Sequence, residues 1–254
     1  MAFDPVFARD VVLALAQAAY AVMDGTPANL PAGYIQTSLI QADAVALNTL
    51  TYPHPAVAAM TKDSDIFGLM GRNPSSRTAF LAFRGTSDLA EWVADINAFR
   101  QDYRPISGFG QVHTGFQDVY ELVRTNIAAE LAATTAGCDH ILLTGHSLGA
   151  ALAVLAAPDI ARAMPPNTIE PRLITFAGPK TGSGDFAASF NAVIESCYRV
   201  VNFLDLVPYL PPGAYVHVGS QISVDSGGPP LSISWRHGLA AYRDGLSGLV
   251  AAAQ

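Results

Sequence analysis

The stretch ILLTGHSLGAALAVLAA, residues 141–157, restricts the fold more than any other part of the chain. Its apolar start is typical of a buried strand, and its alanine-rich end is typical of a helix that bends or restarts at Pro158. Between them, Ser147 is flanked by Gly145 and Gly149 in the pattern G-x-S-x-G. Side chains at the two glycines would crowd a sharp turn, so we predict a strained elbow with Ser147 pointing to solvent at its apex.

Apolar runs alternate with helical patterns along the rest of the chain. Residues 78–86, 171–180 and 198–208 have strand character, and residues 115–134 carry apolar side chains at helical spacing. This alternation predicts an α/β protein with a central, mostly parallel sheet and helices on both faces. Ligands of such sheets bind beyond the carboxyl ends of the strands. Because no repeat or long linker interrupts the chain, we predict one catalytic domain over residues 1–254.

Composition excludes some classes of function. The chain has 254 residues, about half of them hydrophobic, and a formal net charge of −7. We expect no nucleic-acid partner, because nucleic-acid binding needs clustered lysine and arginine. Cys138 and Cys197 lie outside any CxxC or zinc-ligand spacing, so we expect two buried free thiols and no metal site. Nothing in the sequence indicates a cofactor.

The apolar segment at residues 11–25 has features of a signal peptide, including an Ala-Tyr-Ala sequence that imitates a cleavage site. However, Asp4, Arg9 and Asp10 precede it, whereas a signal peptide begins with a net positive charge. No uninterrupted apolar run reaches the roughly 18–20 residues that a membrane span requires. We therefore predict no transmembrane segment and an N-terminal helix that packs on the core.

Ser147 needs a base to take its proton, and the base needs an acid to hold its tautomer. In a sheet of this kind both follow the serine in the sequence. Asp205, at the end of the apolar run YRVVNFLD, is the leading acid, and Asp225 is the weaker alternative. His237, which follows a long loop, is the leading base, and His217 is the alternative.

The negative charge of a tetrahedral intermediate needs hydrogen-bond donors. We expect one from the backbone N–H of Leu148, directly after the serine. The second is expected from Thr86, in the loop AFRGTSD at residues 82–88, and the alternative is an ordinary turn residue or helix cap. We expect His113 and His146 to have structural roles near the site.

Six motifs occur in one order over residues 75–242: AFRGTSDLAEW, VHTGF, GHSLGA, FAGPK, VNFLDLVPYLPP and HGLAAY. Together they resemble the class 3 lipase family, the fungal triacylglycerol lipase type with its feruloyl esterase relatives. The resemblance implies an α/β-hydrolase fold and ester hydrolysis without a cofactor. It also implies a triad of Ser147, Asp205 and His237, with Thr86 at the oxyanion hole.

The family carries a helical lid at the position of residues 86–102. Here an apolar stripe recurs at helical spacing, formed by Leu89, Trp92, Val93, Ile96 and Phe99. We predict a lid whose stripe contacts a lipid interface transiently, and the alternative is a fixed helix packed on the core. Three further apolar residues suit an acyl chain, an aromatic acid or plain core packing: Val207, Leu210 and Leu239.

The sequence favours a lipase or esterase that acts on lipids or other apolar esters. Phospholipase A1, feruloyl esterase, and amide or thioester hydrolysis by the same triad are alternatives, as is a non-catalytic binding module on a hydrolase fold. The family resemblance implies secretion, whereas the start of this chain does not have the charge pattern of a signal peptide.

Overall fold

The computed structural model describes residues 2–49, 54–62, 64–86, 93, 99–165, 168–228 and 232–252. Its strands in chain order are β1 (Ile35–Gln41), β2 (Ile66–Asn73), β3 (Thr78–Phe83), β4 (Arg100–Asp102), β5 (Gln111–His113), β6 (His140–His146), β7 (Glu170–Phe176), β8 (Ser196–Asn202) and β9 (Ser220–Val224). Seven of them form one sheet in the order β1-β2-β3-β6-β7-β8-β9, and β4 pairs with β5. The first two pairings of the large sheet are antiparallel and the remaining four are parallel.

The described helices are α1 (Pro5–Met23), α2 (Ala44–Thr49), α3 (Pro55–Thr61), α4 (Thr114–Thr135), α5 (Leu148–Ala163), α6 (Gly184–Val193), α7 (Ile233–His237) and α8 (Leu239–Ala252). A short 3-10 turn covers Val207–Tyr209. One turn of α1, Ala8–Val12, has π-helical hydrogen bonding.

Two hydrophobic layers cover the two faces of the sheet. Along β3, Leu81 and Phe83 belong to one layer, while Phe80 and Ala82 belong to the other. This alternation follows from the two-residue period of a strand. Because both faces of the sheet are apolar, both need to be covered by other apolar elements. Helices α3 to α6 contribute to the first layer, and α1 and α8 contribute to the second. The predicted parallel sheet with helices on both faces is therefore confirmed.

The predicted N-terminal helix is present as α1 and packs on the second layer. By length and composition alone, α1 is long and apolar enough to cross a membrane, with a mean hydropathy of 1.5, and 44% of that apolar window is buried inside the protein. Helix α1 contains Arg9 and Asp10, so it is not an uninterrupted apolar run. The core helix of a soluble protein and a signal sequence can have the same length and apolar composition.

Helix α5 continues through Pro158 to Ala163, and the proline is buried in the core. One local prediction needs correction. Strand β8 ends at Asn202, so Asp205 lies beyond a turn instead of ending the strand. His217 lies outside the named strands, in a segment joined to Gly182 only by an isolated bridge at Val216. Cys138 and Cys197 are free and buried, as predicted.

Candidate active site

Ser147 lies at the sharp turn between β6 and α5. Its backbone has φ 58° and ψ −129°, a conformation that few non-glycine residues adopt. A side chain at Gly145 would overlap the backbone of Gly149, and one at Gly149 would overlap the carbonyl of Phe83. The two glycines therefore allow the strand end, the turn and β3 to approach closely, as predicted. The hydroxyl makes no capping bond to the helix, so a simple capping role does not explain this serine.

Asp205 and His237 form a buried pair. Nδ1 of His237 lies 3.0 Å from Oδ2 and 3.1 Å from Oδ1 of Asp205. The carboxylate also accepts hydrogen bonds from the Tyr242 hydroxyl at 2.6 Å and from the Val207 N–H at 3.1 Å. A fully buried carboxylate needs such donors to replace water. Burial and the adjacent carboxylate raise the pKa of Tyr242 well above its usual value, so its hydroxyl keeps the proton that it donates.

Ser147 and His237 each have one buried polar atom without a hydrogen-bond partner among the described residues. Oγ of Ser147 and Nε2 of His237 are both buried and have no hydrogen-bond partner in the described part of the chain. Because Asp205 accepts the Nδ1 proton, the neutral imidazole leaves Nε2 free to accept another. Ser147, Asp205 and His237 are 2%, 0% and 4% exposed. The prediction that Ser147 points to solvent is therefore wrong for this structure, because the site is covered.

A second histidine connects the elbow to helix α1. Nε2 of His146 lies 2.7 Å from the backbone oxygen of His237, and its Nδ1 lies 2.8 Å from the hydroxyl of Tyr20. A carbonyl can only accept, so His146 donates from Nε2 and accepts the Tyr20 proton at Nδ1. Burial, and to a smaller extent the charge of His237, lower the pKa of His146 to about 3. His146 therefore stays neutral and links Tyr20 to the backbone of His237.

Arg236 holds together the loops that carry the acid and the histidine. Its guanidinium donates to the carbonyl of Phe203 at 3.2 Å and to the carboxylate of Asp225 at 3.0 Å. Its own carbonyl accepts from Nδ2 of Asn202 at 2.8 Å. The guanidinium also lies 5.9 Å from the Phe203 ring centre and 5.6 Å from that of Trp235. These contacts fix the segment before His237 against the turn before Asp205.

The loop after β3 contacts the elbow directly. A Cβ atom built on Gly85 would lie 3.0 Å from Cβ of Ser147 and 2.5 Å from the Tyr20 hydroxyl, so only glycine fits. Thr86 is the next residue, and its hydroxyl donates to the carbonyl of Ala59 at 3.3 Å. Leu148 is the first residue of α5, where a backbone N–H has no partner inside the helix. Leu148 therefore directly follows Ser147 in the chain, and Thr86 directly follows the glycine that contacts Ser147.

The alternative acid and base are engaged elsewhere. His217 lies 2.6 Å from the carbonyl of Pro208 through Nε2, and burial lowers its pKa to about 4. Asp225 is exposed and pairs with Arg236. The described structure therefore brings Asp205 and His237 together, and it does not pair either alternative with them.

Most of the predicted lid lies outside the described residues, including Leu89, Trp92 and Ile96. Val93 is half-buried against the first hydrophobic layer, and Phe99 is largely exposed. The other predicted substrate contacts are Val207, Leu210 and Leu239. Val207 is fully buried in the first layer, Leu239 packs on the second and Leu210 is half-buried. These positions favour core packing for Val207.

The sheet order and the serine elbow after a central parallel strand define the α/β-hydrolase fold. The model of the class 3 lipase family matches residues 80–215, which is more than half of the chain. The chain belongs to the class 3 lipase family.

Relatives of known identity extend this comparison. The lipase of Rhizomucor miehei is 32% identical over 170 residues, which cover 65% of this chain and 47% of the relative. Phospholipase A1-II 1 of Oryza sativa subsp. indica is 28% identical over 199 residues, which cover 68% of this chain and 50% of the relative. A solved triacylglycerol lipase whose catalytic centre is a serine protease triad matches with a TM-score of 0.65 at 25% identity, over 84% of this chain and 77% of its own. The chain spans about half the length of the curated relatives it matches.

Sequence reasoning missed the residues that surround the pair. Tyr242 lies inside the HGLAAY motif, so the motif drew attention to it without giving its role. Tyr20 is the single polar-tipped aromatic residue of an apolar helical stretch, a pattern that indicates a buried hydroxyl with a partner. Asn202 and Arg236 gave no comparable signal, because their partners lie in other loops and include backbone atoms as well as side chains.

Proposed function

We propose that this chain is a serine hydrolase that cleaves carboxylic esters through an acyl-enzyme on Ser147. The observation that carries the proposal is the pair of buried polar atoms without partners, Oγ of Ser147 and Nε2 of His237. Burying such atoms unpaired is unfavourable, so they need an explanation beyond stability. They are explained if Ser147 is a nucleophile and His237 a general base, whose free atoms interact with a bound substrate.

The reaction follows from the protons that these groups hold. His237 takes the proton of Ser147 at Nε2 while Oγ attacks the ester carbonyl carbon, and Asp205 stabilises the resulting imidazolium. The N–H groups of Leu148 and Thr86 stabilise the oxyanion. His237 then protonates the departing alcohol. Water attacks the acyl-enzyme with His237 again as the base, and the carboxylic acid leaves as Ser147 regains its proton.

Apolar acyl esters are the substrate class that we favour, with acylglycerol lipase as the first candidate. The burial of all three triad residues supports a cover that opens for substrate, as the lid prediction for residues 86–102 requires. The relatives include both lipases and a phospholipase A1, so phospholipid is the second candidate. Feruloyl ester hydrolysis uses the same triad and differs only in the acid that the pocket accepts.

A panel of p-nitrophenyl esters from acetate to palmitate tests this proposal. We expect turnover by the native chain and a loss of kcat of about 10⁶-fold in Ser147→Ala. Triolein, phosphatidylcholine and methyl ferulate, compared under identical conditions, separate the three substrate candidates. Loss of Ser147 without effect on turnover would contradict the proposal, and so would an intact, folded protein that hydrolyses none of these esters.

A further inference from the structure

A cavity of about 570 Å³ lies at the edge of the sheet opposite to the serine elbow, and we name it the basal cavity. Its lining comes from the starts of β3, β6 and β7, from α1 and from the segment before β1, and it includes Asp4, Phe7, Tyr34, Thr78, His140, Leu142 and Arg172. Leu142 precedes Ser147 by five residues of an extended strand, which span about 17 Å at 3.3 Å per residue. The basal cavity is therefore separate from the candidate active site.

The basal cavity has an apolar floor and aromatic walls. Leu142 is its most deeply buried lining residue and belongs to the second hydrophobic layer. The rings of Phe7 and Tyr34 pack on the same layer and are half-buried. Binding sites for small molecules typically have volumes of about 300–1,000 Å³, with apolar and aromatic walls and a few polar groups. The basal cavity has this character, and its aromatic walls favour a flat aromatic ligand.

Two of the polar lining residues already bind each other and Glu170. Nη2 of Arg172 lies 2.7 Å from Oε2 of Glu170 and 3.2 Å from Nε2 of His140. A guanidinium can only donate, so Nε2 of His140 accepts and its ring holds the proton on Nδ1, 3.1 Å from the same Glu170 oxygen. His140 is therefore neutral, and the charge of Arg172 is balanced by Glu170. The guanidinium also holds the pKa of the Glu170 carboxyl below its usual range.

Asp4 supplies the remaining charge of the cavity lining. Its Oδ1 caps α1 by accepting from the N–H groups of Val6 at 2.9 Å and Phe7 at 3.1 Å. Its Oδ2 accepts no hydrogen bond from any described residue, and no described cationic side chain pairs with it. The net charge of −7 over the whole chain also favours a cation over an anion. A ligand ammonium could pair with Oδ2 and lie near the face of an aromatic wall.

We propose that the basal cavity binds a small aromatic amine. The flat apolar body of the ligand contacts Leu142 and the rings of Phe7 and Tyr34, and its ammonium donates to Oδ2 of Asp4. The proposal is independent of ester hydrolysis, because the cavity and Ser147 lie at opposite edges of the sheet. A ligand that binds only the folded chain also raises its melting temperature, which gives a second readout.

Three probes that share one indole body test the ligand class. Tryptamine carries an ammonium, tryptophol a hydroxyl and indole-3-propionate a carboxylate on the same two-carbon arm. Tryptamine should bind the native chain with a Kd of about 1 mM or lower, and indole-3-propionate should bind at least about fivefold more weakly. The measurement is a titration of backbone amide resonances. The amides of Thr78 and Leu142 should shift, and that of Leu148 beside the triad should not.

Asp4→Asn separates the charge of Asp4 from its capping role, because an asparagine oxygen still caps the helix. This variant should weaken tryptamine binding about two- to fivefold and leave tryptophol binding nearly unchanged. The matched control is Asp43→Asn, since Oδ1 of Asp43 caps α2 in the same way, accepting from Val45 at 2.8 Å and Ala46 at 2.9 Å. The control should leave the binding of both probes unchanged. Phe7→Leu, which keeps an apolar side chain on the second layer, should weaken the binding of all three probes.

Four results would overturn the proposal. None of the probes could bind saturably below about 10 mM, or indole-3-propionate could bind as tightly as tryptamine. Asp4→Asn and Asp43→Asn could change tryptamine binding equally. Alternatively, the resonance shifts could centre on Leu148, which would place the bound amine in the candidate active site. Failure of ester hydrolysis would leave the proposal intact, because binding is measured without catalysis.

Discussion

Ser147 is held in a backbone conformation that costs about 1–3 kcal/mol, with φ 58° and ψ −129°. The N–H of Ser147 donates to the carbonyl of Phe176 at 3.0 Å, and the flanking glycines admit the neighbouring backbone. The rest of the fold therefore determines the position of the backbone that carries Oγ before any substrate arrives. Pre-organisation of this kind lowers the reorganisation needed in the transition state.

At the residue scale, the two late histidines should differ sharply. His237→Ala should lower kcat on p-nitrophenyl butyrate by about 10⁴-fold or more, because the proposed mechanism assigns the removal of the serine proton to Nε2 of His237. His217→Ala should keep most of kcat, since the ring of His217 bonds the carbonyl of Pro208, whereas Asp205 pairs with His237. Circular dichroism melting checks that both variants fold. Higher activity in His237→Ala than in His217→Ala would make the assignment of the base wrong.

At the scale of elements, helix α1 reaches the site through Tyr20. Tyr20→Phe removes the donor to Nδ1 of His146 and leaves a buried acceptor unpaired. The free energy of unfolding should fall by about 1–3 kcal/mol, measured by urea denaturation. We also expect kcat to fall several-fold while KM stays nearly constant, because His146 bonds the backbone of His237 and does not touch substrate.

Tyr34→Phe is the matched control, since Tyr34 also packs on the second layer but lies beside Phe80, away from the site. If Tyr20→Phe and Tyr34→Phe changed stability and kcat equally, α1 would have no specific connection to the base.

The predicted lid is a second element with a testable role. Trp92 belongs to the apolar stripe of residues 88–99, and an exposed aromatic ring is unfavourable in water but favourable in lipid. The hydrolysis rate should rise abruptly when the substrate passes its solubility limit. Trp92→Ala should reduce that rise more than it reduces turnover of a soluble short-chain ester. Simple saturation through the solubility limit, with equal effects on both substrates, would favour the fixed helix.

At the scale of the whole molecule, buried neutral histidines make stability depend on pH. His146 has a pKa of about 3 in the folded chain, whereas a histidine in an unfolded chain is protonated below about 6.5. The unfolded state therefore binds more protons as the pH falls, and the native state loses relative stability between about pH 6.5 and 3. His217, with a pKa of about 4, acts in the same direction.

Urea denaturation at pH 7 and pH 5 measures this effect while ordinary carboxyl groups stay ionised. His146 alone should account for a loss of about 2 kcal/mol over that interval. His146→Gln should show a smaller pH-dependent loss than the native chain. An identical loss in both proteins would show that His146 is not a buried neutral group.

The sequence predicted the parallel sheet, the elbow and helix α1, because hydrophobic period and glycine spacing are local signals. It did not predict strands β1 and β2, which lie in a segment without clear alternation, nor the end of β8 three residues before Asp205. The sequence did propose the pairing of Asp205 with His237 in advance, through the order of acid and base. The contacts of Tyr20 with His146 span 126 residues, and no sequence period records such a contact.

Covalent labelling of Ser147 tests the central claim most directly. A p-nitrophenyl alkylphosphonate reacts only with a serine whose proton a neighbouring base can take. We expect one adduct per chain, mapped to Ser147 by peptide mass spectrometry, release of one equivalent of p-nitrophenol, and no labelling of Ser147→Ala. An adduct on any other residue, or equal labelling of native and Ser147→Ala protein, would contradict the assignment of Ser147 as the nucleophile.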